Sequence, residues 1–420
     1  MNILYLLLDP TQAADHRHGG YATHVREVVE ALESAGHRVE LLDSRPPELG
    51  VRVAAGRETG KATGRKTGRA TARGSSPAPG WAPKWLRPVG RDLFYLLHNL
   101  RASRLLEARL ARGRVDLVYE RFHHLQGAGM RAARRHGLPS ILEFNAGVNE
   151  AAAFHGVGLG GLARWVEART LRNADRVITV SGVLRRQVLT LGLAAERVVA
   201  MHNGVNTERF HPGIDGAAAR RRFGLGDRDV VVGFVGSFAP WHGVELLIDA
   251  ALNLLPEVPE LRFLIVGGRP EEPRFTAARR RVEEVGSGGR IVFAGEVPFA
   301  AVPEAMAAMD IATIPWATDY GSPMKVAEYM AMGRALIAPD LEVLREVLAD
   351  GRNALLVRRG DASELGRAIR RLAEDPALRR SLGAAARQDA VERHDWRHHA
   401  RTIEELAESI RRSRVAGSDR

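Results

Sequence analysis

The stretch Val230-Val231-Val232-Gly233-Phe234-Val235-Gly236-Ser237-Phe238-Ala239-Pro240-Trp241-His242-Gly243, running on into Val244-Glu245-Leu246-Leu247-Ile248-Asp249-Ala250-Ala251-Leu252, decides the fold. Its first six residues are an almost continuous apolar, β-branched run, the pattern of a strand covered on both faces. A short loop with Gly and Pro follows, and from about 243 to 255 apolar residues recur at helical spacing. Strand, tight loop and helix make half of a parallel crossover unit.

The same unit recurs on both sides. Downstream, strands are expected over 262–266, 291–293, 311–313 and 335–338. Upstream they are expected over 3–8, 38–42, 117–120, 140–144, 176–180 and 198–201, separated by helices such as 21–35 and an amphipathic one over 92–111. This alternation predicts an α/β protein with two doubly wound parallel sheets in tandem. Pro212-Gly213 interrupts the pattern, so the boundary is placed in 205–213, giving domains over 1–205 and 206–395. A last helix over 396–412, within a tail 396–420, is expected to pack back on the first domain. Ligands of open parallel sheets bind beyond the carboxyl ends of the strands, which predicts a site in a crevice between the two domains.

The chain has 420 residues, enough for two domains that each bury a core, and no cysteine, which excludes disulfides, thiolate metal sites and a cysteine nucleophile. The absence of cysteine fits the cytosol. Residues 1–8 are apolar but lack a basic leader region, and Asp9-Pro10 follows at once, so a buried strand is expected there rather than a signal peptide. The net charge of +11 is concentrated between Arg52 and Arg73, where seven basic residues meet one acidic one. That segment is rich in Gly, Ala and Thr without apolar periodicity, and 52–80 reads as a disordered basic loop. Trp81, Trp85, Leu86, Leu93, Phe94, Leu96 and Leu97 follow it, a combination suited to an anionic membrane surface through 52–100; a helix that simply covers the first sheet is the alternative. No nucleic-acid module accompanies the charge and no aromatic residues interleave it, which argues against nucleic acid as a partner.

The chemistry is most legible in Gly321-Ser322-Pro323-Met324-Lys325-Val326-Ala327-Glu328-Tyr329-Met330-Ala331-Met332-Gly333. Ser322 is a good N-cap and Pro323 a good first helical residue, which puts Lys325 in the first turn, where the helix dipole repels a cation unless an anion is bound. A phosphate would resolve that conflict, and Glu328, one turn on, is placed to accept hydrogen bonds from a ribose diol. A surface pair between Lys325 and Glu328 is the competing reading. Gly19-Gly20, after the first strand, allows close approach of an anion to a helix N-terminus. Ser237 and His242 occupy the equivalent loop of the second domain, as donors to a phosphate or as loop caps. Asn145 and His155, near the end of a first-domain strand, are candidates to orient an acceptor hydroxyl. No histidine and carboxylate spacing marks a metal site.

Together these residues resemble the family 4 retaining glycosyltransferases of GT-B architecture, over nearly the whole chain. The landmarks are Gly19-Gly20 with His24 and Val25, Gly36-His37-Arg38-Val39, Tyr119-Glu120-Arg121, Leu142-Glu143-Phe144-Asn145-Ala146 and Ala174-Asp175-Arg176-Val177. They continue with Asn203-Gly204-Val205-Asn206, Gly233-Phe234-Val235-Gly236-Ser237, Gly295-Glu296-Val297-Pro298 and Ser322-Pro323-Met324-Lys325 with Glu328-Tyr329-Met330-Ala331. The last is the mark of a Ser-Pro-x-Lys-x-x-Glu-Tyr-Met-Ala subgroup.

The resemblance implies two Rossmann-like domains facing a cleft, the first binding the acceptor and the second a nucleotide sugar, which is substrate rather than cofactor. A hexosyl group would pass to a hydroxyl of a sugar or lipid-linked acceptor with retention and without a metal, in polysaccharide, glycolipid or glycoconjugate biosynthesis, in the cytoplasm or at the inner face of the membrane. Lys325 and His242 are the expected catalytic residues; Gly19, Gly20, Ser237, Val297, Met324, Lys325 and Glu328 the expected donor contacts. Of the family's glutamate pair, the second falls on Glu328, while the first falls on Tyr320, beside Asp319. The family's usual Arg and Lys for the phosphates are Ser237 and His242 here, and its usual histidine after the strand ending at Phe144 is Asn145. A sugar-nucleotide epimerase or a sugar phosphorylase on the same fold remains the alternative.

Overall fold

The computed structural model describes residues 1–9, 20–43, 87–287 and 289–418. Gly19, the basic loop over 52–80, Trp81, Trp85 and Leu86 lie outside the described residues. The chain divides into two compact units, one of Met1–Val180, Leu184–Met201 and Ala400–Arg420, the other of Ser181–Val183 and His202–His399.

The first unit is built from β1 (Asn2–Leu7), α1 (Gly20–Ser34), β2 (Arg38–Asp43), α2 (Arg87–Leu110), β3 (Leu117–Arg121), α3 (Ala128–Arg135), β4 (Ser140–Phe144), α4 (Val148–His155), α5 (Gly160–Asn173), β5 (Arg176–Thr179), α6 (Gly182–Thr190) and β6 (Val198–Ala200). Its six strands run in the order β2-β1-β3-β4-β5-β6, parallel throughout. β1 lies inside the sheet and is buried from Ile3 to Leu7, which is why its sequence is an unbroken apolar run rather than an alternating one. The order reverses between β1 and β3, the place where a doubly wound sheet opens a crevice. α2 begins at Arg87, five residues before the sequence pattern does, because Pro88 fits the first helical turn.

The second unit contains α7 (Ala217–Arg222), β7 (Val230–Val235), α8 (Val244–Leu254), β8 (Leu261–Val266), α9 (Pro273–Glu284), β9 (Ile291–Gly295), α10 (Val302–Ala307), β10 (Ile311–Thr313), α11 (Met324–Ala331), β11 (Ala335–Pro339), α12 (Glu342–Arg345), β12 (Leu355–Val357), α13 (Ala362–Glu374) and α14 (Pro376–Arg393). The order is β12-β11-β10-β7-β8-β9, also parallel, with its reversal between β7 and β10. Both faces of this sheet carry a core, one including Tyr329, Met330 and Leu336, the other Phe234, Leu247 and Phe263. Each unit is therefore Rossmann-like. α15 (Trp396–Ser418) belongs to the first unit from Ala400 onward, where Arg414 pairs with Asp175 at 2.8 Å and Arg176 donates to the Ser409 hydroxyl at 3.2 Å.

Two local expectations are corrected. α11 starts at Met324 with Pro323 in the cap position, and Ser322 does not cap it. The Ser322 hydroxyl is turned instead to the backbone N–H of Asn203, which it accepts at 2.9 Å. A serine two residues outside the first turn cannot reach the helix N–H groups and bond Asn203 at once.

Candidate functional site

In the second unit the reversal point is formed by the ends of β7 and β10. β10 stops at Thr313, and the hydrogen bonding of β7 on that side is continued by side chains. The Thr313 hydroxyl donates to the Gly233 carbonyl at 2.9 Å, and the Tyr329 hydroxyl accepts the Val235 N–H at 2.7 Å. Tyr329 is fully buried, so α11 is fastened beside the end of β7.

One turn before Tyr329, the Lys325 ammonium lies over the Phe234 ring, 4.6 Å from its centre. A Cβ at Gly236 would stand 2.6 Å from that nitrogen and 2.8 Å from the Phe234 ring, so glycine lets the loop after β7 lie close against both. Burial pushes the lysine down to about 7, against the upward pull of Glu328. The ammonium is thus desolvated, in the first turn of a helix and close to the loop after β7: the electrostatic complement of an anion.

His242 closes the same loop. Gly243 takes a left-handed conformation (φ 61°) and turns the chain from the short helical turn Pro240–His242 into α8. The His242 ring stands 6.0 Å from Phe234, edge to face. Its Nδ1 is 2.7 Å from the Ser237 carbonyl, which can only accept, so Nδ1 carries the proton. Burial, and then the Lys325 charge, hold the ring down to about 3, hence neutral at physiological pH. A neutral ring protonated at Nδ1 offers Nε2 as an acceptor. The expected donation from His242 to a phosphate is corrected on that ground, whereas Ser237, exposed and 3.2 Å from Nδ1, keeps a hydroxyl that can donate.

Met324 is the first residue of α11 and half-buried; Glu328, two residues after Val326, is 9% exposed. Val297 is a core residue, 7% exposed. At the position of the family's first glutamate, Tyr320 uses its carbonyl to accept the Ser181 hydroxyl at 2.7 Å. Beside it the exposed Asp319 carboxylate pairs with Arg359 at 2.5 Å, and Arg359 is itself stacked on Trp316.

In the first unit, Asn145 follows β4 directly, and among the described residues neither end of its buried amide has a hydrogen-bond partner. Next to it, the N-terminus of α4 is closed by two carboxylates: Glu150 accepts the Gly147 N–H at 2.8 Å and Glu167 the Val148 N–H at 2.7 Å. Burial, opposed by the Val148 bond, raises Glu167 to about 7. This helix start is therefore occupied, and does not offer itself to a phosphate. His155 is the last residue of α4, with its side chain outside the described part; Gly20 is the first residue of α1.

Beneath Asn145 lies a network that sequence reading had treated only as landmarks. The Glu143 carboxylate is buried and is held by His24 Nε2 at 2.9 Å, the Tyr119 hydroxyl at 2.6 Å and Arg121 at 2.5 Å. Burial alone would raise this carboxyl, but His24 and Arg121 hold it well below the usual range. Arg121 also covers the Tyr21 ring at 5.0 Å, and nearby Asp9 pairs with His123 at 3.1 Å. The signal was a charged residue inside an otherwise apolar strand, Ile141-Leu142-Glu143-Phe144. Among the described residues no three His, Asp, Glu or Cys side chains gather as a metal site.

Residues 18–209 match the model described as Glycosyltransferase Family 4, and residues 229–375 the model described as Glycosyl transferases group 1. The alpha-maltose-1-phosphate synthase of Mycolicibacterium smegmatis is 27% identical over 67% of this chain and 76% of its own length. The D-inositol 3-phosphate glycosyltransferase of Streptomyces bingchenggensis is 30% identical over 71% of this chain and 68% of its own. In fold, the chain resembles Anabaena HepE, whose crystal structure holds UDP, with a TM-score of 0.66 and 18% identity over 97% of this chain and 100% of that one. With both halves matched in order and a relative of 30% identity matched over most of its length, the chain belongs to glycosyltransferase family 4, of GT-B architecture.

Proposed function

We propose that this chain transfers a hexosyl group from a nucleoside-diphosphate sugar to a hydroxyl of a sugar or lipid-linked acceptor, with retention and without a metal. The observation that carries this reading is the Lys325 ammonium, desolvated over Phe234 and facing Gly236 at the reversal point of the second sheet. Lys325 neutralises the diphosphate, and Glu328 takes the ribose diol. The Ser237 hydroxyl and the start of α11 donate to phosphate oxygens. The neutral His242 offers Nε2 to a donor hydroxyl, and Asn145 orients the acceptor.

In the transfer itself, the bond from the anomeric carbon to the phosphate oxygen breaks while the acceptor oxygen bonds that carbon on the same face. The departing phosphate oxygen takes the acceptor proton. Negative charge grows on the leaving diphosphate, where a fixed cation in a water-poor site is most effective. UDP in the Anabaena neighbour and the glycosyltransferase name of the Streptomyces relative support a nucleotide donor.

The test is release of free UDP or GDP from a panel of nucleotide sugars only when an acceptor is present, which separates transfer from epimerisation; NMR of the product's anomeric centre then reads retention. Glu328→Gln should weaken nucleotide binding by roughly 1–3 kcal/mol with the fold intact, the size of a charge-assisted hydrogen bond. Unchanged affinity in calorimetry removes Glu328 from the site.

The same proposal has the acceptor side act in the cytoplasm, at an anionic membrane surface. On α2, Leu93, Leu97 and Leu100 are 50%, 67% and 61% exposed and share a face with the exposed Arg101 and Arg104. Apolar side chains flanked by arginines match an anionic lipid surface. No helix among the described residues is long and apolar enough to cross a membrane. Flotation with anionic liposomes should be lost on replacing Leu97 and Leu100 by Glu, or on deleting 52–79; equal flotation of all forms overturns the assignment.

A further inference from the structure

The helix carrying Lys325 is fastened at two points. On the carboxyl side, Tyr329 lies one turn after Lys325 on the same face, and its hydroxyl holds the N–H of Val235, the residue immediately before Gly236. This bond exists because β10 is too short to supply the partner itself. On the amino side, Ser322 is clasped by Asn203 twice: the Asn203 N–H donates to its hydroxyl at 2.9 Å and the Asn203 amide Nδ2 to its carbonyl at 2.6 Å. Ser322 has given up its natural place as helix cap for this contact. Between the two fastenings the first turn of α11 has little freedom, and the position of the lysine relative to the loop after β7 is set before any ligand arrives.

We infer that Tyr329 and Ser322 are positioning residues for donor binding, which hold the Lys325 ammonium against the 236–242 loop so that a diphosphate meets cation and loop as one preformed cradle. The inference rests on the reading of Lys325 as the phosphate ligand. Its physical basis is that a charge-assisted hydrogen bond needs donor and acceptor within about 3 Å, so a shift of about 1 Å leaves only a looser and weaker charge–charge contact. A buried tyrosine whose only task were to fill the core would affect stability and leave ligand discrimination alone.

Tyr329→Phe and, separately, Ser322→Ala are compared with wild type and with Lys325→Met. Affinities for UDP and GDP are measured against those for uridine and guanosine, together with thermal stability. The expected result is that nucleoside affinity is unchanged while diphosphate affinity falls roughly five- to tenfold in both variants, the scale of one hydrogen bond. Ser322→Thr, which keeps the hydroxyl, should restore it. If both variants keep the wild-type ratio of diphosphate to nucleoside affinity while Lys325→Met loses it, the positioning role is overturned and the lysine reading stands. If Lys325→Met also keeps the ratio, the lysine reading itself fails and takes this inference with it. A melting temperature lowered in Tyr329→Phe with the ratio intact assigns that hydroxyl to stability alone, and overturns its positioning role.

Discussion

The Lys325 ammonium stands 4.6 Å above the centre of the Phe234 ring, and these two residues, 91 positions apart in the chain, meet where the second sheet reverses its strand order. An aromatic face attracts a cation but supplies no counter-charge. The lysine is kept in place with its charge offset only in part by Glu328, and burial lowers its titration to about 7. A diphosphate entering this site would restore the missing charge.

Lys325→Met should leave the unliganded protein as stable as wild type or slightly more so, because a cation in a first helical turn costs about 0.3–1 kcal/mol when no anion is bound. The same change should lower transfer by about a hundredfold, through loss of the cation facing the developing diphosphate charge. Thermal melts and initial rates measured together check both signs. A destabilised variant with normal turnover would return Lys325 to a structural pair with Glu328.

The pH dependence follows from the same group. The free lysine titrates near 7 and a bound diphosphate raises it, so above pH 7 binding takes up a proton and should weaken by up to about tenfold per pH unit. Calorimetry at pH 8 in two buffers of different ionisation enthalpy should show net proton uptake in wild type and a markedly smaller uptake in Lys325→Met. Because the folded-state value lies below the unfolded one, the unliganded protein should also gain stability as pH rises from 7 toward 10.

Glu143→Gln should destabilise the protein by about 3–5 kcal/mol, since it leaves the buried Arg121 charge without its partner. Urea denaturation reads this directly. The lowered carboxyl contributes stability in full above the ordinary carboxylate pKa and loses it progressively as pH falls from there toward its lowered folded-state value, so the wild-type advantage over the variant should be greatest near neutral pH and shrink in acid. Equal midpoints for the two proteins would mean that the network is not held by charge.

Asn145→Ala should have opposite effects on stability and on acceptor binding. An amide buried without partners carries a desolvation cost of about 1–3 kcal/mol, so its removal should leave the melting temperature unchanged or higher. The acceptor KM should rise by about tenfold if the amide pairs with acceptor hydroxyls, with donor affinity unaffected. A lower melting temperature with an unchanged acceptor KM would make Asn145 structural.

Most of the architecture is legible in the chain itself. β4, β7 and β10 fall at 140–144, 230–235 and 311–313 as the apolar runs indicate, because a strand buried on both faces is predominantly apolar. β12, Leu355–Val357, is as short as β10 and was not expected from the sequence. The start of α11 was misjudged by one residue: a serine's preference for the cap position is worth about 1 kcal/mol, and the two bonds to Asn203, distant in sequence, outweigh it.

The sequence by itself determined that two parallel α/β sheets follow one another, that a lysine stands in the first turn of a helix, and that a glutamate lies one turn beyond it. These are consequences of local period and of the fixed geometry of helices and strands. Only the tertiary structure decided which groups that lysine faces, that His242 is a neutral acceptor rather than a donor, that Asp319 pairs with Arg359, and that Glu143 gathers His24, Tyr119 and Arg121. The physical reason is that charge state and tautomer are set by desolvation and by partners within a few ångströms, and strand order, which brings residue 234 to residue 325, is not written in any local stretch of the chain.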